Sequence, residues 1–263
     1  MPRPILTLTT DFGLSDHYVA AMKGVILGIC RQAQIVDISH EVGPFAIAEG
    51  AYTIAQAYRY FPKKTVHVIV VDPGVGSARR PILMEAAGQS FIAPDNGVLG
   101  MIYAREKHKV RLISNSRYFH RPVSQTFHGR DIFSPVGAHL AAGVASARIG
   151  PLIKDYLRPS LLGTQRTGKH TWMGQILKVD HFGNVVTSFH IGEFPDLAKR
   201  DFTLLAGGYE LGTMVSNYSE GVPGDLVVLI GSGGYLEIAM NQGSAADQVK
   251  CDVGAAVELK IWS

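Results

Sequence analysis

The 263-residue sequence is poor in cysteine and tryptophan, and it has no long apolar run. Each shortage excludes something. Its two cysteines, Cys30 and Cys251, are far apart and sit beside apolar neighbours, so they read as buried free thiols of a reducing compartment. No stretch approaches the ~20 apolar residues of a membrane span. No secretory leader precedes the strand-like run after Met1-Pro2-Arg3-Pro4, and the expected setting is cytoplasmic. A net charge of +3, with scattered basic residues, offers no stripe for nucleic acid. The short basic cluster at 166–170 reads as a solvated linker.

Several catalytic signatures are also missing. His40-Glu41 lacks the second histidine of a zinc helix, and there is no Cys-x-x-Cys or close histidine pair, so no metal is expected. Gly-x-Ser-x-Gly and Gly-x-Gly-x-x-Gly do not occur. Gly231–Gly234 is not a phosphate loop, because no Gly-Lys-Ser/Thr follows it. Asp11-Phe12-Gly13 is not a kinase motif, since the glycine-rich loop, strand lysine and catalytic loop are absent.

What is present is a chain 46% hydrophobic, enough for a sizeable core. The first 150 residues alternate strand and helix patterns. Ile5–Thr10, Gln34–Ile38 and Thr65–Val71 read as strands, and 16–30 and 46–60 as helices. The almost continuous apolar run Val66–Val71 suits a strand buried on both faces, as in a parallel sheet. Ile82–Glu85 and Ser90–Ile92 form a hairpin about Gly88, and Asp131–Ala142 reads as a helix. From about residue 172 short strands and Gly-rich turns take over, as in a small β-barrel or sandwich. The expected fold is an α/β N-terminal domain (1–165) with a mainly parallel central sheet, then a small all-β domain (172–263), with the boundary near 160–172.

Four constellations carry chemistry. Thr9–Asp16 follows the first strand, where α/β sheets bind ligands and carboxylates hold hydroxyls or an ammonium group. The same residues suit an Asx-turn and helix cap. Asp72-Pro73-Gly74-Val75-Gly76 with Ser77–Arg80 is a tight turn that returns Arg79 toward Asp72, or a plain Pro-Gly turn with surface arginines. Thr126–Phe133 places His128 beside a glycine before a helix, where a histidine is either structural or ligand-facing. Asp180–Asn184, Gly231–Tyr235 and Asn241–Ala246 are loops on a β scaffold, either binding loops or hairpin turns.

In order and spacing these segments, with Ala93-Pro94-Asp95-Asn96-Gly97, resemble the S-adenosylmethionine hydroxide adenosyltransferases, hydrolase relatives of fluorinase and chlorinase. The likeness runs from Thr9 to about Ala246. It implies an N-terminal α/β domain, a C-terminal β-barrel and a homotrimer whose site lies between one subunit's N-terminal domain and its neighbour's C-terminal domain. It also implies a catalytic group of Asp72, Arg79 and His128. Asp11 would hold the ribose hydroxyls, Asp16 would face the methionine end, and Phe45 would flank the ribose. Asp180 would meet the ammonium group and Ser232 the carboxylate. Asn184 and the backbone near Gln242 would read adenine, with Tyr218 a stacking candidate.

The halogenating relatives carry Tyr-Ser where this chain has His128-Gly129, so water rather than halide is the expected nucleophile. Gly233 stands where they carry an arginine for the substrate carboxylate, so that contact must come from elsewhere. The expected reaction is hydrolysis of S-adenosylmethionine to adenosine and methionine, without metal or organic cofactor. Two alternatives are a non-catalytic binder of the same ligand and a halogenase, against which the triad and Gly129 respectively stand. A methyltransferase would need a glycine-rich loop after the first strand, and none is there.

Overall fold

A computed structural model describes residues 3–159 and 164–262. The chain divides into two compact units on either side of positions 161 and 162. Positions 160–163 of the expected boundary lie outside the described residues.

The N-terminal unit is built on one seven-stranded sheet. Its elements are β1 (Ile5–Thr10), α1 (Tyr18–Ile29), β2 (Gln34–Ser39), α2 (Ile47–Ala57), β3 (Val66–Val70), β4 (Pro81–Ala86), β5 (Gln89–Pro94), α3 (Gly100–Arg105), β6 (His108–Leu112), α4 (Ser134–Ala141) and β7 (Leu152–Ile153). Strand order is β2-β1-β3-β5-β4-β6-β7. The sheet is mixed, not mainly parallel. β2, β1, β3 and β5 run parallel, but β4 is antiparallel to β5 and β6, and β6 to β7. The reason is local: β4 and β5 are joined by a two-residue turn, Ala87-Gly88, in which both residues have positive φ, and so tight a connection can only reverse the chain.

Every residue of β3 is buried, as its apolar run requires. Leu6, Leu8, Val66, Val68, Val70 and Ile92 share one core with Met22, Ile26 and Val136 of α1 and α4. On the opposite face Gly50 of α2 lies against Val71. The polar exception, His67, bonds to Thr7 Oγ1 at 2.7 Å and stacks on Phe91. Burial pushes its pKa down to about 4, so it is a neutral core residue. Helix α1 begins at Tyr18 rather than Asp16, which leaves Asp16 on the exposed loop before it. The expected helix at 131–142 is two pieces, a π-helical turn Gly129–Phe133 running into α4.

The C-terminal unit contains β8 (Gln165–Arg166), β9 (Thr171–Val179), β10 (Val185–His190), β11 (Phe202–Ala206), β12 (Tyr209–Leu211), β13 (Leu226–Ile230), β14 (Tyr235–Met240), the short helix α5 (Ala245–Val249) and β15 (Ala256–Ile261). Main order is β12-β11-β15-β9-β10-β14-β13. Its two ends meet just beyond β12, where Val215 N–H donates to the Val228 carbonyl and Val228 N–H to that of Thr213. The sheet thus nearly closes into a barrel around Ile176, Phe189, Leu204, Leu236, Ile238 and Leu259. Both cysteines are free thiols; Cys30 is buried, whereas Cys251 is only half-buried.

Helix α4 can approach the sheet closely because Gly137 has no side chain. A β-carbon there would lie 2.8 Å from Val68 Cγ2 and 3.3 Å from Ile92 Cδ1. Gly137→Val should lower the free energy of unfolding by roughly 1–3 kcal/mol, through overpacking against a wall that cannot yield. Urea denaturation followed by circular dichroism measures it; unchanged stability would show that the helix can lift off.

Candidate active site

Strands β1 and β3 lie side by side, with Thr10 opposite Val70. The chain leaves both at the same edge of the sheet, so Asp11 and Asp72 emerge together at the carboxyl ends of parallel strands. Burial raises the Asp11 pKa, the Phe45 backbone N–H opposes that rise, and the negative charge of Asp72 adds to it.

Asn96 Nδ2 donates to the Val71 carbonyl at 2.8 Å, fixing the end of β3. The chain then turns through Asp72–Ser77, with Ser77 Oγ donating to the Gly74 carbonyl at 2.6 Å and accepting from Arg79 N–H at 3.2 Å. Gly76, at φ 77°, is pressed against the Gln125 carbonyl, where any β-carbon would overlap that oxygen. Only glycine permits this approach, and it brings the turn against the segment that carries His128.

Arg79 grips Asp72 with two parallel bonds, Nε to Oδ1 at 2.9 Å and Nη2 to Oδ2. Such a fork fixes the guanidinium in plane as well as in position. The same Nη2 lies 2.7 Å from His128 Nδ1. Both members of the ion pair are nearly dry, with side chains 8% (Arg79) and 4% (Asp72) exposed. The guanidinium lies 5.1 Å from the centroid of the Phe133 ring. Its Nη1 is buried and has no hydrogen-bond partner among the described residues.

A guanidinium only donates, so His128 Nδ1 must accept. The neutral ring therefore carries its proton on Nε2. Burial and then the Arg79 charge hold the His128 pKa below its ordinary value, against opposing pulls from Asp72, Asp131 and the Ser124 backbone. Asp131, fully buried, keeps the surrounding loop in place. It takes the Arg130 fork and the Ser124 N–H at 2.8 Å. Burial would raise its pKa, but those bonds outweigh the effect and hold it down.

Phe45 is 70% exposed and sits at φ 65°, a region a bulky residue seldom occupies. Its N–H donates to Asp11 Oδ2 at 3.0 Å, which clamps the strained residue beside the carboxylate. Asp11, Phe45, Asp72, Arg79 and His128 thus form one constellation in the N-terminal unit. Asp16 does not join it. It is exposed, with no partner among the described residues.

The C-terminal unit gathers its own set. Asp180 organises its turn, with Oδ1 accepting from Phe182 N–H and Asn184 N–H, and Oδ2 from Asn184 Nδ2, each at 2.9 Å. Asn184 is buried. The turn carrying Gln242 (exposed, φ 59°) continues into Ser244, which packs on Gly183, and Ala246 N–H donates to the Gly183 carbonyl. Tyr218 donates its hydroxyl to Glu237 Oε2 at 3.2 Å. Its pKa is pushed up to about 12 by burial and by the charges of Glu237 and Asp180. Ser232 is exposed on the turn above Glu237, whose carboxylate touches Gly231.

Glu237 was not legible from the sequence. It lies inside the segment Tyr235–Ala246 that carries part of the family resemblance, but no role was read for it, and its own signal was a lone charge in the apolar run Tyr235–Met240. Among the described residues no group of three or more His, Cys, Asp or Glu is arranged to hold a metal, and no helix is long and apolar enough to cross a membrane.

The SAM hydroxide adenosyltransferase N-terminal domain family matches residues 6–150, and the corresponding C-terminal domain family matches 174–258. The chain is 36% identical to a protein of Salinispora tropica named (R)-S-adenosyl-L-methionine hydrolase, over 94% of each chain. It is 27% identical to a fluorinase of Nocardia brasiliensis, over 98% of this chain and 97% of that one. Among solved structures, an uncharacterised conserved protein of Thermotoga maritima superposes with a TM-score of 0.86 at 34% identity, covering 97% of this chain and 99% of that one.

Protonation of His128 would set Nδ1–H against the Arg79 donor. With a pKa held below about 6.5 by burial and Arg79, the ring stays neutral at pH 7 and charges only as pH falls below that value. Turnover should therefore be flat through neutrality and fall on an acid limb below pH 6.5. A pH–rate profile paired with NMR titration of the His128 ring tests this; a ring pKa above 7 would contradict the assigned tautomer.

Proposed function

The chain belongs to the SAM hydroxide adenosyltransferase family, and we propose that it hydrolyses S-adenosyl-L-methionine to adenosine and L-methionine. The observation that carries this reading is the dry Asp72–Arg79–His128 arrangement, in a chain 36% identical over 94% of its length to a protein named as such a hydrolase.

The electrophile is the ribose C5′, bonded to a sulfonium. An oxygen of water attacks it, the C5′–S bond breaks, and its electron pair stays on sulfur as a neutral thioether. The leaving group needs no acid, so the demand falls on the nucleophile. Water has a pKa of about 15.7, which a nearby cation lowers. Arg79 supplies that cation. Its Nη1, buried without a protein acceptor, is the donor we assign to the attacking oxygen. Asp72 holds the guanidinium in plane, and His128 fixes its second edge. Because Nδ1 is already occupied by Arg79, the neutral His128 ring has no lone pair left to take a proton, and it acts as a positioning group rather than a base. The proton that the attacking oxygen gives up passes to bulk water, one per turnover. Attack by a hydroxide-like oxygen on a sulfonium cancels charge, so a dry site favours it, and in-line placement of oxygen, C5′ and sulfur adds an entropic gain. No step calls for a metal or organic cofactor.

Gly129 supports water over halide. A β-carbon there would lie 3.3 Å from Met22 Sδ and 3.3 Å from Phe127 Cε2, so a serine would need both to give by a few tenths of an ångström, and the Phe127 ring is braced edge-on by Phe12. For the substrate we assign Asp11 to the ribose hydroxyls, Phe45 to the ribose face and Asp16 to the methionine end. Asp180 and Ser232 are assigned to the amino-acid group, and Asn184, the Gln242 backbone and Tyr218 to adenine. We further infer a homotrimer in which neighbouring subunits complete each site. The relatives' names specify the (R) epimer at sulfur, and we assign the same epimer here. Inverting sulfur exchanges the methyl and amino-acid arms, so that with C5′ held in line a charged arm would point where a methyl belongs.

Three measurements test this. Protein incubated with mixed epimers in ¹⁸O-water should deplete (R), leave (S), and give adenosine labelled at the 5′-oxygen; 5′-chloroadenosine in chloride buffer would sink the hydrolase reading. Arg79→Lys, which loses the planar fork, should lower kcat by ~10²–10³-fold, the usual scale for removing one charge-stabilising donor. Light scattering on the purified protein should give the mass of three chains, and a monomer of full activity would refute the shared site.

A further inference from the structure

Strand β14 carries one carboxylate in an otherwise apolar run, and the fold buries it: Glu237 is only 7% exposed. Leu236 and Ile238 enter the barrel core, so Glu237 lies on the other face, opposite Leu229 and Val186 in register. A charge held among apolar neighbours needs a partner, and among the described residues the Tyr218 hydroxyl supplies one, 3.2 Å from Oε2. Room for the carboxylate comes from Gly231, where any side chain would overlap it.

Tyr218 is anchored at its other end as well. Asn217 Oδ1 accepts from Ser219 N–H at 3.1 Å and from Ser219 Oγ at 2.6 Å. Glu220 accepts from Ser216 N–H at 2.8 Å and from Asn217 Nδ2 at 2.9 Å. The backbone of the turn and the tip of the ring are both tied down, yet the residue remains 45% exposed. A ring fixed at both ends with a free face is a rigid platform for a planar partner.

We propose that Glu237 is a positioning residue for purine recognition: it holds the Tyr218 hydroxyl, and so the orientation of the ring on which adenine stacks. This rests on the hydrolase reading above. Its rival is an acidic seat, in which Glu237 and Asp180 together hold the substrate's ammonium group. The two make opposite demands. A platform needs a hydrogen-bond acceptor at 237 and affects adenosine; a seat needs negative charge and affects methionine.

The experiment compares Glu237→Gln, Glu237→Ala and Tyr218→Phe by hydrolysis kinetics and by product inhibition with adenosine and with L-methionine. Adenosine binding is also measured directly by calorimetry. Glu237→Ala and Tyr218→Phe should each weaken adenosine about 3- to 10-fold, the scale of one lost hydrogen bond. KM should move more than kcat, and methionine inhibition should stay unchanged. Glu237→Gln, which keeps an acceptor, should lose less. Combining Glu237→Ala with Tyr218→Phe should cost no more than either alone, because both remove one interaction. Weakened methionine with unchanged adenosine, or Gln as damaging as Ala, would overturn the proposal. Should the alanine variant fail to fold, Tyr218→Phe and Glu237→Gln decide by the same two ligands. A wild-type chain that binds adenosine but does not hydrolyse the substrate defeats the activity reading and leaves the calorimetric comparison standing; one that binds no adenosine defeats this inference.

Discussion

The buried Arg79–Asp72 pair is the constraint on which the N-terminal site depends. Taking two charges out of water is costly, and their attraction offsets that only when the geometry is good and the remaining donors are satisfied. Here the fork satisfies Nε and one edge of Nη2, and His128 takes Nη2's remaining bond. Nη1 is left over. A hydrophobic pair of the same volume would hold the loop as well or better, so stability alone does not account for an arginine there. A fixed cation with one uncommitted donor in a dry place does account for it, provided an oxygen is to be activated beside it.

Much of the surrounding structure serves that pair. Asn96 ties down the end of β3. Gly76 lets the turn touch the Gln125 backbone. Asp131 binds the loop above His128 through Arg130 and Ser124. The motif Ala93–Gly97, which carries no reacting group, therefore has a mechanical role: it fixes the strand end from which Asp72 departs. Asp11 is subject to the same arrangement from the other side, since the parallel pairing of β1 with β3 places it within the field of Asp72.

How much of this could be read from sequence depended on the kind of information involved. The apolar run Val66–Val71 marked a fully buried strand, because burial on both faces leaves a compositional trace. Strand direction leaves none, and so the mainly parallel sheet that the alternation suggested is in fact half antiparallel. The hairpin about Gly88 already contained that reversal. β6, His-Lys-Val-Arg-Leu, lacks the apolar character of a core strand because it lies near the sheet's edge. Asp72 and Arg79 were legible through turn chemistry; the segment Thr126–Phe133 marked His128 as either structural or ligand-facing, and resemblance gave it the catalytic role. Glu237 lay within a resembling segment, Tyr235–Ala246, but had no role there, and its significance comes from Tyr218, Gly231 and Asp180, which the barrel alone brings near.

The hydrogen-bond logic at His128 also bears on how one scaffold separates water from halide. Water and hydroxide accept and donate; a halide only accepts. Next to a guanidinium any of them is welcome, so the discriminating groups must lie on the other side of the nucleophile. In this chain His128 is followed by a glycine whose vacant side-chain direction is crowded by Met22 and Phe127, each 3.3 Å from where a β-carbon would lie, with Phe12 in ordinary contact at 3.5 Å. A side chain there would press on Met22 and on the Phe127 ring, which Tyr18 supports in edge contact at 5.2 Å. On the proposed reading, selectivity for water rests on the packing around Gly129 as well as on the absence of one oxygen.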